Sequence, residues 1–515
     1  MVRKTFCSIK VLLITTLALL VVLVGVLVLS FVGVPKIIDS QVKSSVQLEK
    51  GTEQWDRFVE LPFPLHFKVW LFNVTNPEEI QKSAKPILNE VGPYYYDETV
   101  IKDIMLYNPS DDTVTYKRKL SFAFNKEESG TLTEDDELVL LNPVMLSMTQ
   151  LTTVLERMAL GGCLDRIFPD RYNNLFIKVK VGMMLFEGYE FAVKHDDLGV
   201  ACGIIRNKVI QKTANIRNIE KVYKDGELYS LRFSFFHYKE SPDGVYSVSR
   251  GVDDISMLGH IRRWNEAIQL PFWGRSISFN NDTCNTVRGT DSTIYPPSIT
   301  ENSELDIFNT DICRVIKITY AGQDTYKGVD GFIFTINENT LRNETEFAEN
   351  DCFCVQQTLN ELGESSCYLD GLIDLKSCVG APILLSFPHF LYADDHYREA
   401  VEGVDEPDES IHKLYLLVEP NTGTPLEGKK RAQLNAVLRP ANFLSFSEDL
   451  PQVVIPMFWV DEGVSLPQKY VDELNDMYFN RLQIAAGVKY GVIAVTLAAV
   501  VTSTGFLVRK KFFTG

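Results

Sequence analysis

Residues Val11–Val34 read VLLITTLALLVVLVGVLVLSFVGV, twenty-four residues without a charge. An apolar helix of about 20 residues spans the hydrocarbon core of a bilayer, so this stretch is long enough to cross with some tilt. A secretory signal has a shorter apolar core, about 7–15 residues, followed by small residues at a cleavage site. Here the run is longer and Pro35-Lys36 follows directly, so it reads as an uncleaved anchor. A second apolar stretch, Tyr490–Val508 (YGVIAVTLAAVVTSTGFLV), closes on Arg509, Lys510 and Lys511. Arg3, Lys4 and Lys10 flank the first span, and the bias of cations toward both outer ends places both tails in the cytoplasm. The expected organisation is a cytoplasmic tail 1–10, a span 11–34, an extracellular domain 35–489, a span 490–508 and a cytoplasmic tail 509–515. A plasma-membrane location follows.

Composition narrows what the domain between the spans does. The chain carries 68 acidic and 51 basic residues, a net charge of −17. Nucleic acid as main partner needs a basic footprint that is missing here. Hydrophobic residues make up 45% and aromatics 11%, enough to fill a sizeable core. Eight of nine cysteines fall between the spans: Cys163, Cys202, Cys284, Cys313, Cys352, Cys354, Cys367 and Cys378. Three sequons, at Asn73, Asn281 and Asn343, lie there too. Together these features suit an oxidising, glycosylated compartment. Cys7 stands just before the first span, where palmitoylation and a plain free thiol are both open.

Between the spans the pattern is mostly β. Phe67–Phe72 reads as a strand that Asn73-Val-Thr-Asn-Pro breaks, and Tyr94–Tyr96 as another. Val114, Tyr116, Leu120, Phe122 and Phe124 follow the period of a half-buried antiparallel strand. Strands are also expected at Leu231–Phe236, Tyr246–Val248, Leu414–Val418 and Ala432–Leu438. Pro143–Phe168 differs. Val144, Met148, Leu151, Leu155 and Met158 recur every 3 or 4 residues, which is one helix with one apolar stripe. Gly161-Gly162 ends it, and a short second helix is expected before Pro169. The stripe reads as core packing, with a cap whose outer face meets partners as the sharper alternative. The fold class is α+β, antiparallel, with a helical insert.

Catalytic readings find little support. Gly423-Thr-Pro-Leu-Glu-Gly428-Lys429 has phosphate-loop spacing, but Lys430 stands where the magnesium-binding hydroxyl belongs, and the segment reads as a turn. No His-Glu-x-x-His or Gly-x-Ser-x-Gly is present. His389, in an apolar context, reads as a hydrogen-bonded core histidine, and Asp394-Asp395-His396 as a solvated loop. Polar residues Thr496, Thr502, Ser503 and Thr504 form no continuous pore face in the second span. Gly487 and Gly491 suggest packing of anchor against anchor. No catalytic residue, metal ligand or cofactor is assigned, and the chain is read as a non-enzyme.

An ordered series of short pieces carries a resemblance. Trp55, Pro62, Pro64, the Val69–Asn76 block, Lys85-Pro86 and Val91-Gly-Pro-Tyr begin it. Arg250-Gly-Val-Asp-Asp, Trp264, Cys284-Asn, Gly289-Thr-Asp, Pro296-Pro297 and Asp311-Ile-Cys-Arg continue it. Phe387-Pro-His-Phe, Glu419-Pro with Thr422-Gly, Lys430-Arg with Gln433, and Pro456-Met-Phe-Trp complete it. The chain resembles the class B scavenger receptor family, which includes the fatty-acid translocase and a lysosomal integral membrane protein. Within it the chain looks most like the insect sensory neuron membrane proteins. Ser129-Gly-Thr-Leu-Thr-Glu-Asp-Asp-Glu and the sparse cysteines suggest their second group.

The resemblance implies a large antiparallel β-barrel with a hydrophobic tunnel and an apical helical bundle near residues 143–170. It leaves the tunnel-lining side chains unassigned. Spacing alone leaves 15 pairings open for the six cysteines of the 284–378 region. The family pattern implies Cys284–Cys352, Cys313–Cys378 and Cys354–Cys367, and leaves Cys163 and Cys202 undecided. Ser83 and Ser292 stand where glycine is usual, and Val315 where serine is. The implied function is a receptor that binds fatty acids, lipids or lipid-derived odorants and pheromones and passes them through the tunnel toward the membrane in chemosensory detection. Odorant-binding proteins and odorant receptors are the implied partners. The alternative is general scavenging of lipid, lipoprotein or apoptotic cells; a lysosomal trafficking role lacks an acidic dileucine signal in the Arg509–Gly515 tail.

Overall fold

The computed structural model describes residues 2–196, 198–274, 282–343, 346–355, 367–368 and 370–513. The chain forms two compact units. Residues 1–47, 327–329 and 466–515 make one, and 48–326 with 330–465 make the other.

The first unit holds the two long apolar helices. Lys10–Val46 and Asn480–Phe512 are each long and apolar enough to cross a membrane, the arrangement of a two-span membrane protein. The first helix runs on past the expected end at Val34. Pro35 lacks an N–H and would clash with the carbonyl four residues earlier; the π-helical turn Leu29–Gly33 just before it absorbs the misfit, and helix resumes over Val34–Val46. The two helices touch through Thr16 and Ser503, whose hydroxyls are 2.7 Å apart. Lys489 Nζ sits 3.8 Å from the Phe31 ring centroid. Thr496, Thr502 and Thr504 donate back to carbonyls four residues earlier in their own helix. Gly487 and Gly491 pack on nothing: a Cβ on either would meet no atom within 4 Å. The expected glycine packing between anchors is therefore replaced by the Thr16–Ser503 contact.

The second unit is built around one large sheet. Its main strands are β1 (Leu65–Val74), β2 (Leu88–Asn108), β3 (Thr113–Phe124), β4 (Val245–Ser249), β5 (Ile261–Trp264), β6 (Glu304–Asn309), β7 (Arg314–Tyr326), β8 (Val329–Ile336), β9 (Tyr415–Glu419), β10 (Thr424–Leu438) and β11 (Val453–Ser465). They lie in the order β5-β4-β3-β2-β1-β11-β10-β9-β8-β7-β6. Neighbours in sequence are thus neighbours in space, the commonest arrangement, and the first and last strands zip together antiparallel from His66–Gly463 to Leu71–Phe458.

Of these eleven strands, β5 and β6 lack a strand partner on one side among the described residues, and the segment between them closes the gap. Ile261 N–H donates to the Gly289 carbonyl at 2.7 Å, Thr290 N–H to that of Asp306 and Phe308 N–H to that of Thr290, both at 2.9 Å. Two residues therefore stitch the open edges into a nearly closed barrel, which removes the unpaired strand edges that a flat sheet would expose. Gly289 is held at φ +82°, and a Cβ there would overlap the Asp306 carbonyl, so glycine alone fits. Gly92 is similar. A Cβ would lie 2.6 Å from the Trp70 ring, which stacks on Trp459 at 3.7 Å between centroids.

The first helix expected in the insert is split in two, while the short second helix expected before Pro169 is present as Leu164–Ile167. Pro143–Leu151, Val154–Gly161 and Leu164–Ile167 are separate helices. Thr153 and Glu156 form a capping box that restarts the chain in a new direction. Val144 and Met148 are consequently buried, while Leu155 and Met158 are 70% and 51% exposed. The expected stripe is core in its first half and surface in its second. A disulfide joins Cys163 to Cys202 in the helix Gly199–Thr213. The structure also joins Cys284 to Cys352, Cys313 to Cys378 and Cys354 to Cys367.

Candidate ligand cavity

Strand alternation decides what the barrel holds. Phe67 pairs with Tyr96 on one side and Glu462 on the other, Lys430 with Glu462, and Glu98 with Phe122. Directly paired residues share a face, so these side chains all point inward. With them lies a cavity of about 1270 Å³, counting the open space at its rim.

Most of the wall is apolar. Phe67, Phe233, Phe235, Phe236 and Phe458 form an aromatic side, with Phe235 and Phe236 at 4.4 Å and 5.4 Å from Phe458 between centroids. Ile307, Ile316, Leu341, Leu375, Val379, Leu385, Leu414 and Leu434 form an aliphatic side. Such a surface holds an alkyl chain by excluding water from it, at about 0.8 kcal/mol per buried CH₂.

One part of the wall is charged. Lys239 Nζ lies 2.7 Å from Asp311 Oδ2 and 3.5 Å from Glu462 Oε2. Lys430 pairs with the other Glu462 oxygen. Tyr238 donates to Asp311 Oδ1 at 3.0 Å. Arg217 lies 3.8 Å from the same carboxylate and donates to the carbonyls of Thr310 and Asp311. Burial works against every one of these charges. Lys239 nevertheless stays well above the usual lysine range because Asp311 and Glu462 face it, and Asp311 well below the carboxylate range because of Lys239 and Arg217. Lys430 and Lys239 bring Glu462 down to about 2. Burial raises the Tyr238 phenol to about 12.

Glu98 behaves in the opposite way. It is 2% exposed, and its Oε2 has no hydrogen-bond partner. Burial first, and Glu462 second, push its carboxyl up to about 8. Elsewhere in the barrel, Asp291 accepts from Tyr116 at 2.9 Å and lies 3.2 Å from Lys102. Asp243 lies 2.6 Å from Arg118. Asp291 follows Gly289-Thr290, so the residues that close the barrel also anchor its internal charges.

The other sequence candidates lie elsewhere. His389 is buried, 2.5 Å from Glu90 and stacked on His412 at 4.1 Å, a hydrogen-bonded core histidine. Asp394 caps a short helix by accepting from His396 N–H, and among the described residues no three His, Cys, Asp or Glu gather as a metal site. The Gly423–Lys429 segment is not the turn expected: Gly423 ends a turn and Thr424–Lys429 are already strand β10. Asn73 is half-buried, its side-chain oxygen accepting from Val139 N–H at 2.8 Å. Asn343 accepts from Glu346 N–H at 3.2 Å. Asn281 lies outside the described residues, and Cys7 falls in the helix Val2–Val28. Sequence reading missed Glu98 and Lys239, and named Asp311 only as part of a family motif, without its charge role. Parity was the available signal for Glu98, since it shares a face with Tyr94, Tyr96 and Val100.

Comparison with known proteins agrees with this architecture. A family model described as the CD36 family matches residues 16–507. Sensory neuron membrane protein 2 of Anopheles gambiae is 31% identical, over 94% of this chain and 90% of its own length. The protein of the same name from Heliothis virescens is 31% identical over 96% and 92%. Sensory neuron membrane protein 1 of Heliothis virescens is also 31% identical, over 92% and 87%, so identity favours neither group. The chain belongs to the CD36 family, the class B scavenger receptors.

Proposed function

We propose that the chain is a cell-surface receptor that takes hydrophobic ligands (fatty acids, other lipids or lipid-derived odorants and pheromones) into the barrel and passes them to the membrane that anchors it. The observation that carries this reading is the apolar cavity with a charged part of its wall, a lining that suits an amphiphile with a long chain. A lipid that leaves a carrier for a bilayer exposes its chain to water at roughly 0.8 kcal/mol per CH₂, and a dry path through protein removes that barrier. The names of the relatives place them in sensory neurons, which supports a part in chemosensory detection, with odorant-binding proteins and odorant receptors as partners. The breadth of the family match supports the second reading, general lipid scavenging.

In this reading both tails are cytoplasmic, residues 35–489 are extracellular, and the chain is a receptor without catalytic activity. The cysteine bridges and the sequons at Asn73, Asn281 and Asn343 support the orientation. The test is saturable binding of a fluorescent long-chain fatty acid to the full chain in lipid nanodiscs. Binding in the micromolar range or tighter is expected; signal no greater than that of empty nanodiscs overturns the reading.

A further inference from the structure

Among the described residues, five cations of the barrel interior, Lys102, Arg118, Arg217, Lys239 and Lys430, form three ion-paired groups that the charge of Arg118 links through space, since it acts on Asp291, Asp311 and Glu462. Four carboxylates pair with them: Asp291, Asp243, Asp311 and Glu462. Lys239 and Lys430 share Glu462, and Lys239 and Arg217 share Asp311. The remaining carboxyl of the network is Glu98. By register it faces inward from β2 beside Tyr96, and its neighbours across the sheet are Phe122 and Leu65 rather than cations. The groups that act on it are Arg118 from β3, Lys430 from β10, Glu462 from β11 and Lys239 from the turn His237–Glu240. Three of the five cations, Arg217, Lys239 and Lys430, line the cavity; Arg431 lines it too, but its pair with Asp461 at 3.4 Å leaves the count of surplus charge unchanged.

We propose that Glu98 competes with the ligand's head group for the surplus positive charge at the polar end of the cavity, and so sets the preference between anionic and uncharged amphiphiles. The proposal rests on the reading of the cavity as the ligand site. An uncompensated charge in a low-dielectric interior is costly. A neutral Glu98 leaves the network with one positive charge in excess, and the anionic head of a bound amphiphile removes it. An ionised Glu98 removes it without a ligand. An anionic head then adds a sixth negative charge against five positive ones, whereas an alcohol or ester head adds none. Because its carboxyl is raised to about 8, Glu98 is neutral at neutral pH. The cavity therefore accepts anionic heads there and rejects them in alkaline solution.

The experiment uses the full chain in lipid nanodiscs, with empty nanodiscs subtracted, and two radiolabelled probes with the same chain. Hexadecane-1-sulfonate stays anionic throughout, and hexadecan-1-ol stays neutral. The sulfonate's affinity is expected to fall about tenfold between pH 7 and pH 9, in step with Glu98 ionisation, while that of the alcohol stays level. Glu98→Gln is expected to flatten the sulfonate profile, which also separates Glu98 from Lys102 as the titrating group. The wild-type contrast between probes needs no variant to fold. Parallel pH profiles for the two probes, or the same fall in Glu98→Gln, overturn the proposal and leave the cavity reading standing. Failure of both probes to bind at any pH overturns both.

Discussion

Gly289 and Asp306 lie against each other where the sheet would otherwise end, with the Asp306 carbonyl in the place a Gly289 Cβ would occupy. The contact holds Thr290 between β5 and β6 and so turns an open sheet into a barrel. It also positions Asp291 to meet Lys102 and Tyr116. Closure and internal charge are thus set by three consecutive residues.

Gly289→Ala should therefore do more than strain one turn. A residue with positive φ and free space around it, such as Gly226, is expected to lose about 1 kcal/mol on change to alanine. Gly289→Ala must also push the strands apart, and a loss of about 3 kcal/mol or more is expected. Thermal unfolding of the two variants side by side checks this; equal losses would show that the seam yields without cost.

Ser83 and Ser292 both hold φ near +69°, the left-handed region that favours glycine. Their consequences differ. Ser83 Oγ donates to the Asp449 carbonyl at 2.6 Å, and removing that bond offsets the relief of strain. Ser292→Gly is expected to stabilise by about 1 kcal/mol, and Ser83→Gly by close to nothing. Unfolding midpoints in denaturant rank them.

Glu462 and Glu98 predict opposite pH dependences. Glu462 is depressed from 4.5 to about 2, so its contribution is present above pH 4.5 and is lost as pH falls through about 2. Glu462→Gln should destabilise by about 3 kcal/mol at pH 6, because it leaves the buried Lys239 and the half-buried Lys430 short of a partner, and by much less at pH 3. Glu98 is raised to about 8. Its carboxyl disfavours the folded state from pH 4.5 upward, fully above pH 8. Glu98→Gln should therefore stabilise by on the order of 3–5 kcal/mol at pH 8.5 and little at pH 4. Thermal melts across pH 3–9 read both signs.

Much of the fold was legible because the signals are local. The two apolar stretches, the alternation Val114–Phe124 and the ordered family pieces each point to an element or to the whole barrel. The break at Thr152-Thr153 was also local, written in Thr153-x-x-Glu156, but the 3–4 periodicity of the apolar residues masked it. The interior charges were illegible for a different reason. Lys239 within Tyr238-Lys239-Glu240 looks like a solvated turn, and its partners Asp311 and Glu462 stand far along the chain. Only the closure of the barrel brings them together. Ser83 and Ser292 were recognised as departures from glycine, yet their left-handed backbone emerged only from the structure.

The central claim is that the barrel cavity is where a hydrophobic ligand resides, and blocking it tests that claim most directly. Ala432 lines the cavity, so Ala432→Trp fills space there, while Leu155→Ser with Met158→Ser alters the exposed apolar helix surface. The decisive measurement is equilibrium binding of a fluorescent long-chain fatty acid to these variants and to the wild-type chain in nanodiscs, with folding checked by thermal unfolding. A folded Ala432→Trp chain with affinity lowered tenfold or more, beside wild-type affinity in the double-serine variant, is the predicted result. Undiminished binding by folded Ala432→Trp would contradict it.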